Sequence, residues 1–354
     1  MTRVIVCCDG LDPEYLSATD TPGWDTIADT GRAGECDGVV PSVTNVNNVS
    51  IVTGSYPETH GITTNTYYDR DRDERVYMED PSFIRCPTKL ELAAERDEAV
   101  GALVAKDKLK RMVGQGCEIA ASAEDPPAWL EDAVGEAPDI YSGEASPWLL
   151  DAGVHVLETR DLDWLYVSTT DVIPHKFGPT AERAMEWVAE LDSGLAALAE
   201  RASDIVATAD HGMNDKSHAI DPERLLSNAG IDATVIRLIR DKHVYHHQNL
   251  GGAAYVYVHD GQIEEAADRL DETDGIELVL DREAAVDRFR LPPDRIGDLM
   301  LLGEEDAVFG PLDEGVHDEV SLRSHGSHHE RRVPYTCSRD VGLEANIDAF
   351  GALE

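Results

Sequence analysis

Basic residues are scarce in this sequence, and their scarcity limits the partners that the protein can have. The 354 residues include 30 Lys and Arg against 70 Asp and Glu, a formal net charge of −40 at pH 7. A surface that binds nucleic acid needs a basic footprint, so this charge excludes a nucleic-acid partner. The acids are interleaved with apolar residues and form no long blocks. This pattern predicts a folded, halophilic surface whose repulsion is screened by salt, and not a disordered acidic tail.

Long hydrophobic runs are also missing. No apolar stretch approaches the roughly 20 residues of a membrane-spanning helix. The chain reaches a charge at Asp9 after a very short apolar run, which is not typical of a signal peptide. We therefore expect a cytoplasmic protein without a membrane partner.

Cysteines are few and show no metal-binding or redox spacing. The six cysteines form neither a zinc-finger pattern nor a Cys-x-x-Cys motif. Cys7 and Cys8 are adjacent in a predicted strand, so their side chains should point to opposite faces. We predict free, buried thiols in a reducing compartment.

Short apolar runs rich in β-branched residues alternate with helical patterns. The predicted strands are Val4–Cys8, Ala99–Ala105, Trp164–Ser168 and Ile205–Ala209. The predicted helices lie near Trp24–Arg32, Ser146–Leu157 and Thr180–Ala202. We predict Ser146 as an N-cap because a proline follows it. Strands separated by helices are typical of an α/β fold, here a mostly parallel central sheet covered by helices.

The pattern changes between about His218 and Leu322. In this part, strand-like and helix-like segments alternate: Ala253–His259, Ile263–Leu270, Gly275–Leu280 and Arg282–Arg288. We predict that residues 1–217 and 323–354 form the core. Residues 218–322 are predicted to form a smaller α+β cap-like insertion, with approximate boundaries.

Three of the predicted strands end in polar or acidic residues. Asp9-Gly10 follows the first strand, Thr169-Thr170-Asp171 the third, and Asp210-His211-Gly212 the fourth. In open α/β sheets the ligand crevice lies beyond the carboxyl ends of the strands. We therefore expect these side chains to converge on one site.

The ligand-type residues near these strand ends suffice for two metal ions. Two zinc-class ions need about three His or carboxylate ligands each, with positions left open for substrate. One ion is assigned to Asp9, Asp210 and His211, together with Thr44. The other is assigned to Asp171, His175 and His325. Each motif alone also fits an ordinary turn, and the combination favours a metal centre in the core.

Thr44 precedes the predicted helical run Val49–Thr53. A threonine before a helix is by default an N-cap that accepts a backbone N–H. The same position places a hydroxyl at the positive end of a helix, where a phosphoryl group is stabilised. Thr44 is therefore a candidate nucleophile.

The order of these motifs resembles a known family. The motifs are Asp9-Gly10, Pro41-Ser42-Val43-Thr44-Asn45, Ser50-Ile51-Val52-Thr53-Gly54, His60-Gly61-Ile62-Thr63-Thr64-Asn65, Asp171-x-x-x-His175, Thr208-Ala209-Asp210-His211-Gly212-Met213 and Ser324-His325-Gly326. From Val4 to about Pro334 the chain resembles the nucleotide pyrophosphatase/phosphodiesterase branch of the alkaline phosphatase superfamily. Within that branch, Asn47-Asn48 and Lys106-Asp107-Lys108 look most like the phosphonoacetate hydrolases.

This resemblance implies an alkaline-phosphatase-like core and a hydrolase that contains two Zn²⁺, with other divalent metals left open. It also implies cleavage of the C–P bond of phosphonoacetate through a phosphothreonine on Thr44. Asn65 would help to hold the phosphoryl oxygens, and Lys106 and Lys108 would face the substrate carboxylate. The expected partner is a small anionic substrate, and a homodimer is left open.

The lysines also stand out by composition alone. Lys106, Lys108, Lys110 and Arg111 form a positive island in an acidic chain, directly after the strand Ala99–Ala105. The alternative interpretation is a solvated helix start. A cationic pair at this edge suits a small anionic substrate better than a nucleotide.

Two other functions remain open from the sequence. The first is a type I phosphodiesterase or nucleotide pyrophosphatase that uses the same metals and Thr44, for which Tyr67 and Tyr68 are candidate walls. The second is a non-catalytic metal-binding protein. His218, His246 and His247 are also candidates for substrate or cap contacts, but surface roles are favoured for them. His328 and His329 follow His325 closely and are alternative ligands, and His325 is preferred because Ser324-His325-Gly326 matches the family pattern.

Overall fold

The computed structural model describes residues 2–239 and 249–354, so His246 and His247 lie outside the described residues. The strands are β1 Arg3–Cys7, β2 Arg32–Asp37, β3 Thr66–Asp69, β4 Glu74–Tyr77, β5 Val100–Val104, β6 Ile119–Ser122, β7 Trp164–Ser168, β8 Asp204–Thr208, β9 Asn214–Ile220, β10 Ala233–Arg237, β11 Ala253–Val258, β12 Ile276–Asp281, β13 Leu299–Gly303, β14 Ala307–Phe309, β15 His317–Ser324 and β16 Arg332–Cys337. The helices are α1 Pro13–Ala18, α2 Pro22–Thr30, α3 Thr44–Thr53, α4 Pro57–His60, α5 Lys89–Ala94, α6 Asp107–Val113, α7 Ala128–Val134, α8 Ala145–Thr159, α9 Val172–Lys176, α10 Glu182–Ala199, α11 Pro222–Asn228, α12 Ile263–Asp271, α13 Arg282–Phe289 and α14 Ala349–Leu353. Short 3₁₀ helices cover Pro81–Phe83, Pro293–Arg295, His329–Arg331 and Asn346–Asp348.

The central sheet has the strand order β2-β16-β8-β1-β7-β5-β6. Its middle strands pair in parallel, and β16 runs antiparallel to both β8 and β2. Val4, Ile5, Val6 and Cys7 of β1 are fully buried. Such a continuous apolar run is expected of a parallel strand that is covered on both faces. The predicted α/β fold with a mostly parallel, helix-covered sheet is confirmed.

The predicted strands of the central sheet differ from the observed ones by one residue at most at either end. The helix at residue 146 begins differently, because α8 starts at Ala145 and Glu144 is its N-cap residue. Ser146 is therefore not an N-cap. Its Oγ donates to the Thr170 carbonyl at 3.1 Å and accepts from the Thr170 N–H at 3.2 Å. The side chain thus holds the loop that follows β7.

Helix α3 is longer than its sequence predicts, since it begins at Thr44 and not at Val49. Asparagine favours turns over helix interiors, so the sequence did not predict the first half of this helix. Contacts with other parts of the fold stabilise Asn47 and Asn48 within it. Asn47 Nδ2 donates to the Val39 carbonyl at 2.9 Å, and Asn48 Oδ1 accepts from the hydroxyls of Tyr166 and Ser168, each at 2.7 Å.

The remaining strands form smaller sheets. Strands β10, β11, β13 and β12 pair antiparallel in that order, and β9 lies between β14 and β15. The predicted insertion, residues 218–322, begins within β9 and ends within β15, and these two strands are neighbours. The division of the chain into a core and a cap stays a prediction.

Within the described ranges, no helix combines the length and the apolar character needed to cross a membrane. All six cysteines are free thiols. Burial raises the pKa of Cys8 to about 12, so this thiol is held in its neutral form.

Candidate active site

A pocket opens at the carboxyl edge of the central sheet. The predicted site residues that line it are Asp9, Thr44, Asn65, Lys106, Lys108, Asp171 and His325. The other predicted ligands, His175, Asp210 and His211, are buried next to these residues. The structure therefore brings every predicted site residue to one place.

The turn after β1 has a steric requirement for glycine. Gly10 has φ of +73°, and a Cβ at this position would lie 2.8 Å from Asp171 Cβ. Because the left-handed conformation and the close approach both exclude a side chain, only glycine fits well. The turn thereby sets Asp9, at the end of β1, beside Asp171, at the end of β7.

Three predicted ligands of the first ion surround the imidazole of His211. Its Nε2 lies 3.4 Å from Asp9 Oδ1, 3.5 Å from Asp210 Oδ2 and 3.3 Å from Thr44 Oγ1. The candidate nucleophile is therefore in contact with a candidate metal-binding group.

The predicted ligands of the second ion surround Asp171. Its Oδ2 lies 3.0 Å from His175 Nε2 and 3.7 Å from His325 Nε2. The rings of His211 and His325 are stacked, with centroids 3.5 Å apart. The two groups consequently adjoin, and Asp171, His211 and His325 also offer three ligand atoms within 4.8 Å of one another.

Backbone carbonyls orient all three histidines in the same way. Nδ1 lies 2.8 Å from the Arg323 carbonyl in His175, 2.9 Å from the Gly212 carbonyl in His211 and 2.6 Å from the Ser42 carbonyl in His325. A carbonyl accepts only, so each Nδ1 donates, and Nε2 is the nitrogen that a neutral ring would offer to a metal ion. Each Nε2 lies beside a carboxylate oxygen. This arrangement, with the second nitrogen held by a backbone carbonyl, is characteristic of metal-binding histidines.

The electrostatics of the site also favour a cation. Burial, followed by the charges of Asp171 and Asp210, raises the pKa of Asp9 well above its usual value. Burial and the neighbouring imidazoles lower the pKa of His325 well below its usual value. Asp9 Oδ1 is buried and accepts no hydrogen bond from the described residues. The donor set thus fits bound metal ions, which would stabilise the crowded carboxylates.

The N-terminus of α3 faces the pocket. Thr44 is its first residue, and Val43, the N-cap residue, offers no side-chain acceptor to the first N–H groups. Uncapped N–H groups and the helix dipole favour a bound anion. Asn45 Nδ2 donates to Asn65 Oδ1 at 2.5 Å, which leaves the Asn65 amide N–H groups for another acceptor.

The positive island divides into two pairs. Lys110 and Arg111 both form ion pairs with Asp107. Lys106 and Lys108 line the pocket, and the charge of Lys106 opposes the rise in the pKa of Asp9. Lys110 and Arg111, which pair with Asp107, do not line the pocket.

Sequence reasoning missed Arg323, which joins the ligand-bearing segments. Its Nε donates to the Pro174 carbonyl and its Nη2 to the Met213 carbonyl, both at 2.9 Å, while its own carbonyl accepts from His175. The only sequence signal was an arginine directly before Ser324-His325. In the sequence, Asn48 stood out only as part of the Asn47-Asn48 motif that resembles the phosphonoacetate hydrolases. Its Nδ2 donates to the Thr44 carbonyl at 3.0 Å and to Asp210 Oδ2 at 3.3 Å.

His218, His328 and His329 are not among the described residues that line the pocket. His328 and His329 contact Glu277, and His218 pairs with Asp306 on the surface. Tyr67 and Tyr68 line a different cavity, beside Arg70 and Arg295.

Comparison with known proteins assigns the chain to a family. The family profile of type I phosphodiesterases / nucleotide pyrophosphatases matches residues 3–329. The crystal structure of phosphonoacetate hydrolase from Sinorhizobium meliloti in complex with phosphonoacetate is similar, with a TM-score of 0.90 and 35% identity over 98% of this chain and 93% of that chain. Its complex with phosphonoformate gives a TM-score of 0.90 at 34% identity, with the same coverage.

More distant relatives share the architecture. Human ectonucleotide pyrophosphatase/phosphodiesterase 5 has a TM-score of 0.73 over 100% of this chain and 94% of that chain, and at 16% identity this likeness shows the fold alone. Venom phosphodiesterase from Macrovipera lebetinus is 26% identical over 227 residues, or 60% of this chain. The chain spans only 26% of the length of that curated relative. The resemblance inferred from the motifs is confirmed, and the chain belongs to the type I phosphodiesterase / nucleotide pyrophosphatase family, in the alkaline phosphatase superfamily.

Proposed function

We propose that this protein hydrolyses the C–P bond of phosphonoacetate to acetate and phosphate, with Thr44 as the nucleophile. One observation carries the proposal: Thr44 and the lysines Lys106 and Lys108 line the same pocket. A substrate with a phosphonate at one end and a carboxylate at the other matches this arrangement. The similar hydrolase from Sinorhizobium meliloti, crystallised with phosphonoacetate, supports the same substrate.

In the first step, the Thr44 hydroxyl loses its proton to solvent and Oγ1 forms a bond to phosphorus as the P–C bond breaks. The N–H groups at the start of α3 and the side-chain amide of Asn65 donate to the phosphoryl oxygens, where they stabilise the charge that develops during transfer. The product of this step is a phosphothreonine on Thr44.

The electron pair of the broken bond passes to the methylene carbon and is delocalised into the carboxylate. Such a carbanion is a poor leaving group unless its charge is stabilised. Lys106 and Lys108 supply positive charge at the carboxylate, which is an oxyanion-type effect. A proton from solvent then completes acetate.

Water hydrolyses the phosphothreonine in the second step, releasing phosphate and restoring the Thr44 hydroxyl. The sum is phosphonoacetate plus water giving acetate plus phosphate. Retention of the phosphoryl group at the N-terminus of α3 and Asn65 between the two steps keeps phosphorus in place for the second attack.

Two zinc-class ions fit the remaining residues. One would be held by Asp9, Asp210 and His211 with Thr44, and the other by Asp171, His175 and His325. When bound, such ions favour the deprotonated hydroxyl and stabilise both sides of the displacement. Zinc, the number of ions and this division of the ligands all belong to the proposal. It is supported by two groups of closely spaced ligand atoms, Asp9 with Asp210 and His211, and Asp171 with His211 and His325. His175 Nε2 lies 3.0 Å from Asp171 Oδ2.

A phosphodiesterase acting on nucleotides is the second candidate, and the family profile and the venom enzymes favour it. Such an enzyme would use the same Thr44 and ligands. Among the described residues that line the pocket, none is Phe, Tyr or Trp, and Tyr67 and Tyr68 line another cavity. The described lining of the pocket thus has two lysines and no Phe, Tyr or Trp on which a nucleotide base could stack. This favours phosphonoacetate, a small dianionic or trianionic substrate, over a nucleotide.

Lys108→Ala should lower kcat/KM for phosphonoacetate roughly ten- to hundredfold and change kcat/KM for a nitrophenyl phosphodiester little. The reason is that a charge-assisted contact contributes about 1.5–3 kcal/mol, and only phosphonoacetate carries the carboxylate. Initial rates of both substrates, measured with zinc at high salt for the wild type and for Lys106→Ala and Lys108→Ala, test this expectation.

Lys110→Ala is the matched control, because Lys110 belongs to the same helix but pairs with Asp107. It should leave the ratio of the two rates unchanged. An equal loss on both substrates in Lys108→Ala would remove the main reason for preferring phosphonoacetate.

The acidic surface gives a prediction about salt. A net charge of −40 repels itself across the surface, and the screening length falls from about 10 Å at 0.1 M to about 3 Å at 1 M ionic strength. We expect the midpoint of thermal unfolding to fall when KCl is lowered from molar to 0.1 M. An unchanged midpoint would contradict the halophilic interpretation.

A further inference from the structure

A second group of metal-type side chains lies outside the pocket. Glu277 of β12 faces His328 and His329, which follow β15 in the turn before β16. His329 Nε2 lies 2.5 Å from Glu277 Oε2, and His328 Nε2 lies 3.4 Å from Glu277 Oε1. Each residue offers one ligand atom, and these three atoms lie within 4.8 Å of one another.

We propose that Glu277, His328 and His329 bind one divalent cation of the zinc class. Two imidazoles and one carboxylate are a ligand set that zinc uses with a further position left for water. The two carboxylate oxygens each face a different imidazole, and the rings are 4.2 Å apart. This convergence goes beyond a single surface ion pair, in which one donor would meet one acceptor.

The three side chains are accessible to solvent, and the turn that carries the two histidines is held by buried contacts. They are 37%, 20% and 26% exposed for Glu277, His328 and His329, so an ion can reach them from solvent. Ser327 N–H donates to Glu330 Oε2 at 2.9 Å, and Glu330 forms a fully buried ion pair with Lys216. The buried pair holds the turn that presents the histidines. Glu277 lies at an irregularity of β12, between Ile276 and Leu278, which pair with Gly303 and Leu302 of β13.

The position gives the site a structural consequence. The turn that carries His328 also carries His325, and Gly252 at the start of β11 donates its N–H to the His325 carbonyl at 2.8 Å. An ion held by Glu277 and the two histidines would tie the sheet of β10–β13 to the segment that bears His325.

Zinc binding to the full-length protein tests this site. Equilibrium dialysis against zinc, followed by metal analysis, should show that the wild type binds one more ion per chain than His329→Ala or Glu277→Gln at the same free zinc. Loss of one ligand should weaken this ion at least about tenfold. Glu277→Gln keeps the size of the side chain, and circular dichroism verifies that each variant is folded.

His218→Ala provides the matched control, because His218 and Asp306 form an exposed pair 3.1 Å apart without a third ligand. It should bind as much zinc as the wild type. Equal stoichiometry and affinity in the wild type, His329→Ala and Glu277→Gln would overturn the proposal. An equal loss in His218→Ala would overturn it as well, because zinc would then be binding to surface histidines in general. The result does not depend on which substrate the pocket accepts.

Discussion

Replacing Thr44 by alanine should lower the turnover of phosphonoacetate by roughly 10³- to 10⁶-fold, because the variant lacks the oxygen that attacks phosphorus. The fold and the metal content should change little, since the carboxylate and imidazole ligands remain. Rate measurements under single-turnover conditions, together with metal analysis of the purified variant, provide the test.

Thr53→Ala is a suitable control because it removes a buried hydroxyl from the same helix, where Thr53 Oγ1 donates to the Val49 carbonyl. Its turnover should stay near that of the wild type. If Thr44→Ala retained substantial turnover, water and not Thr44 would attack phosphorus, and the phosphothreonine mechanism would be wrong.

His325→Ala and Asp210→Asn should each lower the metal content and the rate together. Removing or neutralising a ligand weakens its site directly, so the loss of affinity should exceed the roughly 10- to 100-fold that follows when a ligand loses its hydrogen-bond partner. Metal titration of each variant, with the rate recorded at each occupancy, distinguishes a lost ion from a lost catalytic group.

Normal occupancy and a near-normal rate in His325→Ala would transfer the ligand role to His328 or His329. The geometry opposes that outcome. His325 Nε2 lies 3.7 Å from Asp171 Oδ2, whereas the other two histidines contact Glu277.

The central sheet was predictable because its strands are buried on both faces. Trp164–Ser168 is apolar at nearly every position and was placed at its observed bounds. The start of α3 was not predictable from local preference. Asn47 and Asn48 disfavour a helix interior, and their stabilising partners Val39 and Tyr166 come from other parts of the chain.

The candidate site was predictable where its residues lie just beyond the ends of strands, as Asp9 and Asp210 do. Contacts that side chains make with distant backbone groups were not predictable. The carbonyl of Ser42 orients His325 although 283 positions separate them, and no sequence pattern marks that pairing. The cluster of Glu277 with His328 and His329 was missed for the same reason, since β12 and the turn after β15 meet only in the folded chain.

Product analysis by ³¹P and ¹H NMR tests the central claim most directly. Purified protein is incubated with phosphonoacetate and zinc at high salt, beside Thr44→Ala as the inactive control. The account predicts that the phosphonate signal is replaced by inorganic phosphate and an equal amount of acetate, and that the variant leaves phosphonoacetate intact. Phosphonoacetate left unchanged by wild-type protein that turns over a nitrophenyl phosphodiester would contradict the account.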